Sequence, residues 1–353
     1  MIVGALAPLP PLDPLPSRTL VLVDDGVPEE HDRAILAAAG GGEGSAPPAL
    51  VRLGGGEERK TIDGFREILE RCAEARLDRD SLLVAAGGGA LGDAAGFAAA
   101  TWHRGIRWLA IPTTLVAMID AHLGGKTALN LGGVKNPLGA FWWPVAILAD
   151  PRFLESLPPR EIRSGWGELV KSALIGDARL FAELEEEARS RARGPPRLPS
   201  ADEIGRAIEV KRRVVAADPL EEGQRRVLNL GHTLGHALET LPGSGLAHGE
   251  AVAAGLVFAA ELAADLGRAP RPLAGRIAAV LARHALPARW PVERAEELFE
   301  LMGRDKKRRR GESWFALPAA PGEVELAPVP ASLVLRRLGA GPEEATRRDL
   351  LLR

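Results

Sequence analysis

The chain has 353 residues, of which 46% are hydrophobic and 26% charged, and its formal net charge is −2. This predicts a globular protein of one large or two ordinary domains, and the near-neutral balance argues against nucleic acid as its main partner. A single cysteine, Cys72 within FREILERCAEARL, excludes a disulfide framework and reads as a buried helical thiol.

The proline-rich start MIVGALAPLPPLDPLP lacks the basic region of a signal peptide. RTLVLVDDGV (18–27) predicts a strand and turn, HDRAILAAAG a helix ending at glycine, and APPALVRLGG a second strand. TIDGFREILERCAEARL has apolar residues at helical spacing behind a threonine. SLLVAAGGG is a short, wholly apolar strand of the kind found inside parallel sheets. LGDAAGFAAATW is a small-residue helix, and IRWLAIPTT and VAILAD are further strands. Strand and helix therefore alternate over the first 155 residues or so, the doubly wound pattern.

From about residue 160 the segments are long, rich in Ala, Glu, Arg and Leu, and helical. Strand-like text is scarce until SWFALPA and EVELAPV. These changes predict an α/β domain with a mostly parallel sheet over 1–157, and an all-α domain over 158–353. RARGPPRLPS (191–200) reads as a mere connection. The clearest uninterrupted apolar run, AVAAGLVFAA at 251–260, is too short to span a bilayer. A cytoplasmic protein with no membrane partner is expected.

GGGALGD (87–93) fits G-x-G-x-x-G between a strand and a helix, where backbone N–H groups and a helix N-terminus cradle a pyrophosphate. It departs from the ordinary fingerprint. It is not the first βα turn, and no acid ends a strand about twenty residues later, so a variant nucleotide site fits better.

Three of the seven histidines, His232, His236 and His248, fall between 232 and 248. HTLGH lacks the glutamate that zincin proteases carry directly after the first histidine. A catalytic zinc site needs three protein ligands and an open position, so a carboxylate is sought. Glu168, mid-helix in apolar text, is the first candidate and Glu250 the second. Lysines among glycines and asparagine, as in HLGGKTALN and GGVKNPLG, suit phosphate and carboxylate recognition.

Read together, GGGALGDAAGFAAATWHRGI, IPTTLVAMIDAHLGGKTALN, KNPLGAF, LPPREIRSGWGELVK, LNLGHTLGHALE, HGEAVAAG and RDKK resemble the 3-dehydroquinate synthase family of the sugar phosphate cyclases, over residues 18–328. The resemblance implies a homodimer that uses NAD and a divalent cation, zinc or cobalt. It implies Glu168, His232 and His248 as metal ligands, with His236 in the substrate site. Substrate contacts implied are Asp120, Lys126, Lys135, Asn136, Lys171, Lys211, Arg225, Asn229 and Lys306 or Lys307. Arg104 matches an arginine that reaches the neighbouring subunit's phosphate pocket. Nucleotide contacts implied are Asp24, Gly55, Gly56, Glu57, Glu58, Arg59, Lys60, Gly89, Ala90, Leu91, Gly92, Asp93, Thr113 and Thr114. Lys126, Lys135 and the stretch Phe153, Leu154, Glu155, Ser156 complete that set.

The implied substrate is the sugar phosphate 3-deoxy-D-arabino-heptulosonate 7-phosphate. Transient oxidation at C5 acidifies the C6 proton, phosphate leaves by β-elimination, and reduction, ring opening and aldol closure give 3-dehydroquinate. Alternatives are another sugar phosphate cyclase, such as an aminodehydroquinate synthase, and a metal-dependent polyol dehydrogenase. Departures from the family pattern are Gly26, Trp166, Gly167 and His122, and the chain has no tyrosine.

Overall fold

The computed structural model describes residues 2–6, 12–40, 47–190, 195–304, 308–309 and 312–340. The chain divides into two compact units, Met1–Leu157 and Pro158–Arg353. Lys306 and Lys307 lie outside the described residues.

The first unit contains β1 (Ile2–Val3), β2 (Thr19–Asp24), α1 (Asp32–Ala39), β3 (Ala49–Leu53), α2 (Ile62–Glu74), β4 (Leu82–Gly87), α3 (Gly89–Thr101), β5 (Arg107–Pro112), α4 (Leu115–Ile119), β6 (Lys126–Leu131), β7 (Val134–Phe141) and β8 (Ala146–Ala149). Six of these strands form a parallel sheet in the order β1-β8-β5-β4-β2-β3. β4 is buried at every position, which is why its sequence is an unbroken apolar run: both faces of a parallel sheet are covered. Thr61 caps α2 by accepting from the Gly64 N–H at 3.3 Å. Cys72 is buried on α2, and burial pushes its thiol up to about 12, leaving it an inert core residue.

The chain runs from β2 outward to β3, then returns to the other side of β2 for β4. The strand order therefore reverses between β2 and β4, and the carboxyl ends of those strands form the crevice where doubly wound sheets bind ligands. The expected alternation of strand and helix is interrupted once. β6 and β7 form an antiparallel hairpin, with Leu131 opposite Val134 across Gly132-Gly133. Both turn glycines are left-handed (φ 58° and 77°), as a two-residue hairpin turn requires. β6 is buried at its centre and β7 largely exposed, and neither carries the apolar alternation by which strands are recognised.

The second unit contains α5 (Pro159–Gly176), α6 (Ala178–Ser190), α7 (Ala201–Ala217), α8 (His232–Thr240), α9 (His248–Asp265), α10 (Pro272–Arg283), α11 (Ala295–Arg304), β9 (Arg308–Arg309), β10 (Glu312–Ala320), β11 (Glu323–Val329) and α12 (Ala331–Ala340). It is largely helical but not all-α: β9, β10 and β11 form an antiparallel sheet. The correction follows from SWFALPA and EVELAPV, which pair with each other and give the late apolar residues a sheet partner.

α9 is buried from Gly249 to Ala263, so it is apolar all round and serves as the core of the unit. α5, α8, α10 and α12 all pack on it. Its approach to α5 is set by Gly249: a Cβ there would lie 1.7 Å from the Ser164 carbonyl oxygen. The Gly249 N–H donates to Ser164 Oγ at 2.9 Å and locks the contact.

Gly249→Ala forces α5 and α9 apart. We expect it to cost about 1–3 kcal/mol of stability or more, read as a lower urea midpoint in equilibrium unfolding; an unchanged midpoint contradicts this packing.

Candidate functional site

Glu168 lies mid-way along α5, on the face that meets α9. His232 opens α8 and His248 opens α9. One ligand atom from each of the three converges within 4.8 Å. His248 Nε2 is 3.1 Å and His232 Nε2 3.8 Å from Glu168 Oε1.

Glu168 is fully buried, yet neither of its oxygens has a hydrogen-bond partner in aligned geometry. Burial works to raise its carboxyl, but the Lys171 ammonium and the two imidazoles outweigh this and hold it well below the usual carboxylate range. An ionised, buried carboxylate that faces two imidazole nitrogens and lacks aligned donors is a donor set a divalent cation satisfies.

The other ring nitrogens are held from behind. His232 Nδ1 lies 3.1 Å from the Leu230 carbonyl oxygen, which fixes Nε2 as the free lone pair. Burial, reinforced by Lys171, pushes His232 well below its ordinary value, so it is neutral and fit to ligate. His248 Nδ1 faces Glu239 Oε2 at 3.2 Å. Burial lowers His248, but the adjacent Glu168 and Glu239 carboxylates override this and raise it to about 10, so it must release that proton to act as a ligand. Glu239 was not among the sequence candidates. The signal was present: seven residues after His232, it lies on the same helical face.

His236, one turn after His232, sits beside the cluster without supplying one of its ligand atoms. Its ring centroid is 5.2 Å from that of His232 and 6.3 Å from that of His248. Lys171 contacts the Glu168 carboxylate from one turn along α5. The second candidate, Glu250, is engaged elsewhere. It pairs with Arg163 at 2.6 Å and accepts from the Ala247 N–H at 2.8 Å, capping α9.

Lys211 is buried on α7. Arg225 and Asn229 lie in the short 3-10 segment Gln224–Asn229. Asp218, another residue missed from sequence, organises this loop by accepting from the Glu222, Gly223 and Arg225 N–H groups at 2.9, 2.8 and 2.9 Å. Asn229 donates to Glu221 at 3.1 Å.

In the first unit, Asp24 ends β2 and Gly87 ends the neighbouring β4. The acid thus stands beside the glycine loop but precedes it in sequence, which explains the departure from the ordinary fingerprint. A Cβ on Gly55 would fall 2.2 Å from the Asp24 carboxylate, and Gly54, Gly55, Gly56, Arg59, Ala90 and Leu91 line a cavity at this point. A glycine-walled cradle at the switch point, with the N-terminus of α3 beside it, fits a dinucleotide.

Lys60 and Asp93 pair at 2.5 Å. Gly92 serves packing as well: a Cβ there would meet His122 Nε2 at 1.8 Å. Thr113 is buried, and Thr114 caps α4. Phe153 and Leu154 have their side chains in the core, whereas Glu155 and Ser156 are not buried. Arg104, Lys126, Lys135 and Asn136 are exposed, Asp120 half-buried, and all five belong to the first unit.

On the helix that carries Glu168, Trp166 stacks on His284 with ring centroids 3.7 Å apart and planes 14° apart. The Arg197 guanidinium lies over the same indole at 4.7 Å. Arg197 also pairs with Glu187 and Glu203 at 2.7 and 2.6 Å, so the described part of 191–200 is a buttress and not a mere connection. Both ring nitrogens of His284 are buried without a hydrogen-bond partner.

Family models described as "3-dehydroquinate synthase N-terminal" and "3-dehydroquinate synthase C-terminal" match residues 50–164 and 165–308. A 3-dehydroquinate synthase from Synechococcus sp. is 42% identical over 313 residues, covering 88% of this chain and 83% of the relative. A solved 2-deoxy-scyllo-inosose synthase complexed with carbaglucose-6-phosphate, NAD+ and Co2+ is 29% identical with a TM-score of 0.79, covering 92% of this chain and 91% of its own. A 2-epi-5-epi-valiolone synthase from Streptomyces hygroscopicus, with NAD+ and Zn2+ bound, is 28% identical with a TM-score of 0.80, covering 97% and 93%.

Burial lowers His284 to about 3, with Glu187 and Glu203 opposing it and Arg197 and Arg283 adding to it. An unfolded imidazole takes up its proton near pH 6.5, whereas the folded one does so only near pH 3. Stability is therefore lost as pH falls through that window, by about 1.4 kcal/mol per unit for this one group. His284→Phe should flatten the fall in unfolding free energy between pH 6.5 and 4.5; equal slopes in variant and wild type contradict it.

Proposed function

The chain belongs to the 3-dehydroquinate synthase family, and from that premise we propose how its own residues carry the reaction. It is an enzyme, a carbon–oxygen lyase that forms 3-dehydroquinate in the shikimate pathway. The substrate in this reading is the heptulosonate 7-phosphate, and the observation that carries the residue assignment is the convergence of Glu168, His232 and His248 beside Lys171 and His236.

Glu168, His232 and His248 would hold a divalent cation, zinc or cobalt, which would supply Lewis acidity to a substrate hydroxyl, and Asp24, Glu57, Lys60 and Gly89–Asp93 would hold NAD+, which would supply a hydride acceptor. Lys171, Lys211 and Arg225 suit the substrate's phosphate and carboxylate through charge-assisted bonds, with Asn229 as a neutral donor; Lys126, Lys135 and Asn136 of the first unit offer the same donor chemistry, and its Asp120 an acceptor for a substrate hydroxyl. Fixing both anionic ends keeps one orientation through successive steps. His236 holds or passes a proton at the substrate's oxygens, the task an imidazole performs near neutral pH.

A homodimer fits this reading. Leu131, Val134, Phe141, Trp143 and Val145 are large, exposed apolar residues on or just after the β6–β7 hairpin, a surface suited to a second copy. Arg104 would serve the neighbouring subunit's phosphate pocket. Among the described residues no helix is long and apolar enough to cross a membrane, and a cytoplasmic location fits.

With the heptulosonate phosphate, NAD+ and zinc, phosphate should be released without NADH accumulating; accumulating NADH favours a dehydrogenase. His232→Ala should lose metal. His236→Ala should keep it and lose turnover by about 10²–10⁴-fold, the usual worth of a positioned proton carrier. A metal-free His236→Ala protein overturns the split between the two histidines.

A further inference from the structure

Asn130 near the end of β6 has no place in the hairpin ladder. Leu129 pairs with Leu138 and Leu131 with Val134, so the register shifts at Asn130 and one residue on β6 faces three, Lys135, Asn136 and Pro137, on β7. Such bulges re-aim side chains beside binding sites.

The groups this irregularity releases from the ladder are used elsewhere. The Asn130 backbone N–H donates to the Lys60 carbonyl oxygen at 2.8 Å. Its side-chain amide donates to Glu57 Oε1 at 2.7 Å. Its side-chain oxygen accepts from the Asn136 N–H at 2.9 Å. Asn136 is left-handed (φ 54°), a conformation asparagine tolerates but which needs support.

We propose that Asn130 is a positioning residue that ties the nucleotide-binding turn Glu57–Lys60 to the bulge presenting Lys135 and Asn136, so that one side chain sets the geometry of a cofactor contact and a substrate contact. Its donor arm serves the turn and its acceptor arm serves the bulge. This rests on the reading above, which gives Glu57 and Lys60 to NAD+ and Lys135 and Asn136 to the sugar phosphate.

The two arms separate by substitution. Asn130→Ala removes both. Asn130→Asp keeps an acceptor for the Asn136 N–H but sets a carboxylate against Glu57. NAD+ affinity is read by titration calorimetry and substrate KM by phosphate release, both on metal-loaded protein. Asn130→Ala should weaken NAD+ binding and raise substrate KM, each by about three- to tenfold, the worth of one lost hydrogen bond. Asn130→Asp should weaken NAD+ binding at least as much and leave substrate KM within about twofold of wild type, because the acceptor bond survives.

A merely structural asparagine would not split the two ligands this way. Asn130→Ala changing neither ligand, or Asn130→Asp shifting both equally, overturns the proposal. Should Asn130→Ala fail to fold, Asn130→Asp decides alone. Glu57→Ala and Asn136→Gly test the underlying reading separately: each should shift its own ligand, and if neither does, the assignment of those residues fails before Asn130 is judged.

Discussion

The backbone contact between α5 and α9 is the constraint on which the convergence of Glu168, His232 and His248 depends. Gly249 meets the Ser164 carbonyl where no side chain fits, and the Ser164 hydroxyl accepts the Gly249 N–H. Two helices that close present their next residues to one another directly. His248, adjacent to Gly249, therefore meets Glu168, one turn after Ser164. The pair encloses a carboxylate with no aligned donor, a cost that a protein bears where a charged ligand offsets it.

Trp166 and His284 show how the same helix is held from its other side. A large indole one residue from the small Gly167 fills the space behind α5, sandwiched between an imidazole and a guanidinium. Neutral His284 gives up hydrogen bonding for stacking, and the carboxylates of Glu187 and Glu203 anchor Arg197 above it. The unusual Trp-Gly pair is thus a local exchange of volume, which leaves Glu168 free to face α8 and α9.

Much of this was legible in the sequence, for identifiable reasons. The apolar run of β4, the glycine loop after it and the clustered histidines each carry a short-range pattern, and the order of motifs gave the family. What was not legible depends on pairing across the chain. β7 of the β6–β7 hairpin is largely exposed and interrupted by Pro137 and Gly139, so it lacks the alternation that marks a strand. Asp24 escaped the fingerprint because strand order, not sequence order, brings it beside Gly87. Glu250, the second ligand candidate from sequence, is occupied by Arg163 and by the N-terminus of α9. Glu239, Asp218 and Asn130 act by orienting other residues, and nothing in their immediate neighbours announces that.

The central claim is that one divalent cation sits among Glu168, His232 and His248 while His236 stays outside the coordination sphere. Anomalous diffraction at the zinc edge, from crystals of the zinc-loaded protein, tests it most directly. The account predicts one peak per chain, about 2.0–2.2 Å from a Glu168 oxygen and from Nε2 of both His232 and His248. A peak coordinated by His236 or Glu250, or none within bonding distance of Glu168, would contradict it.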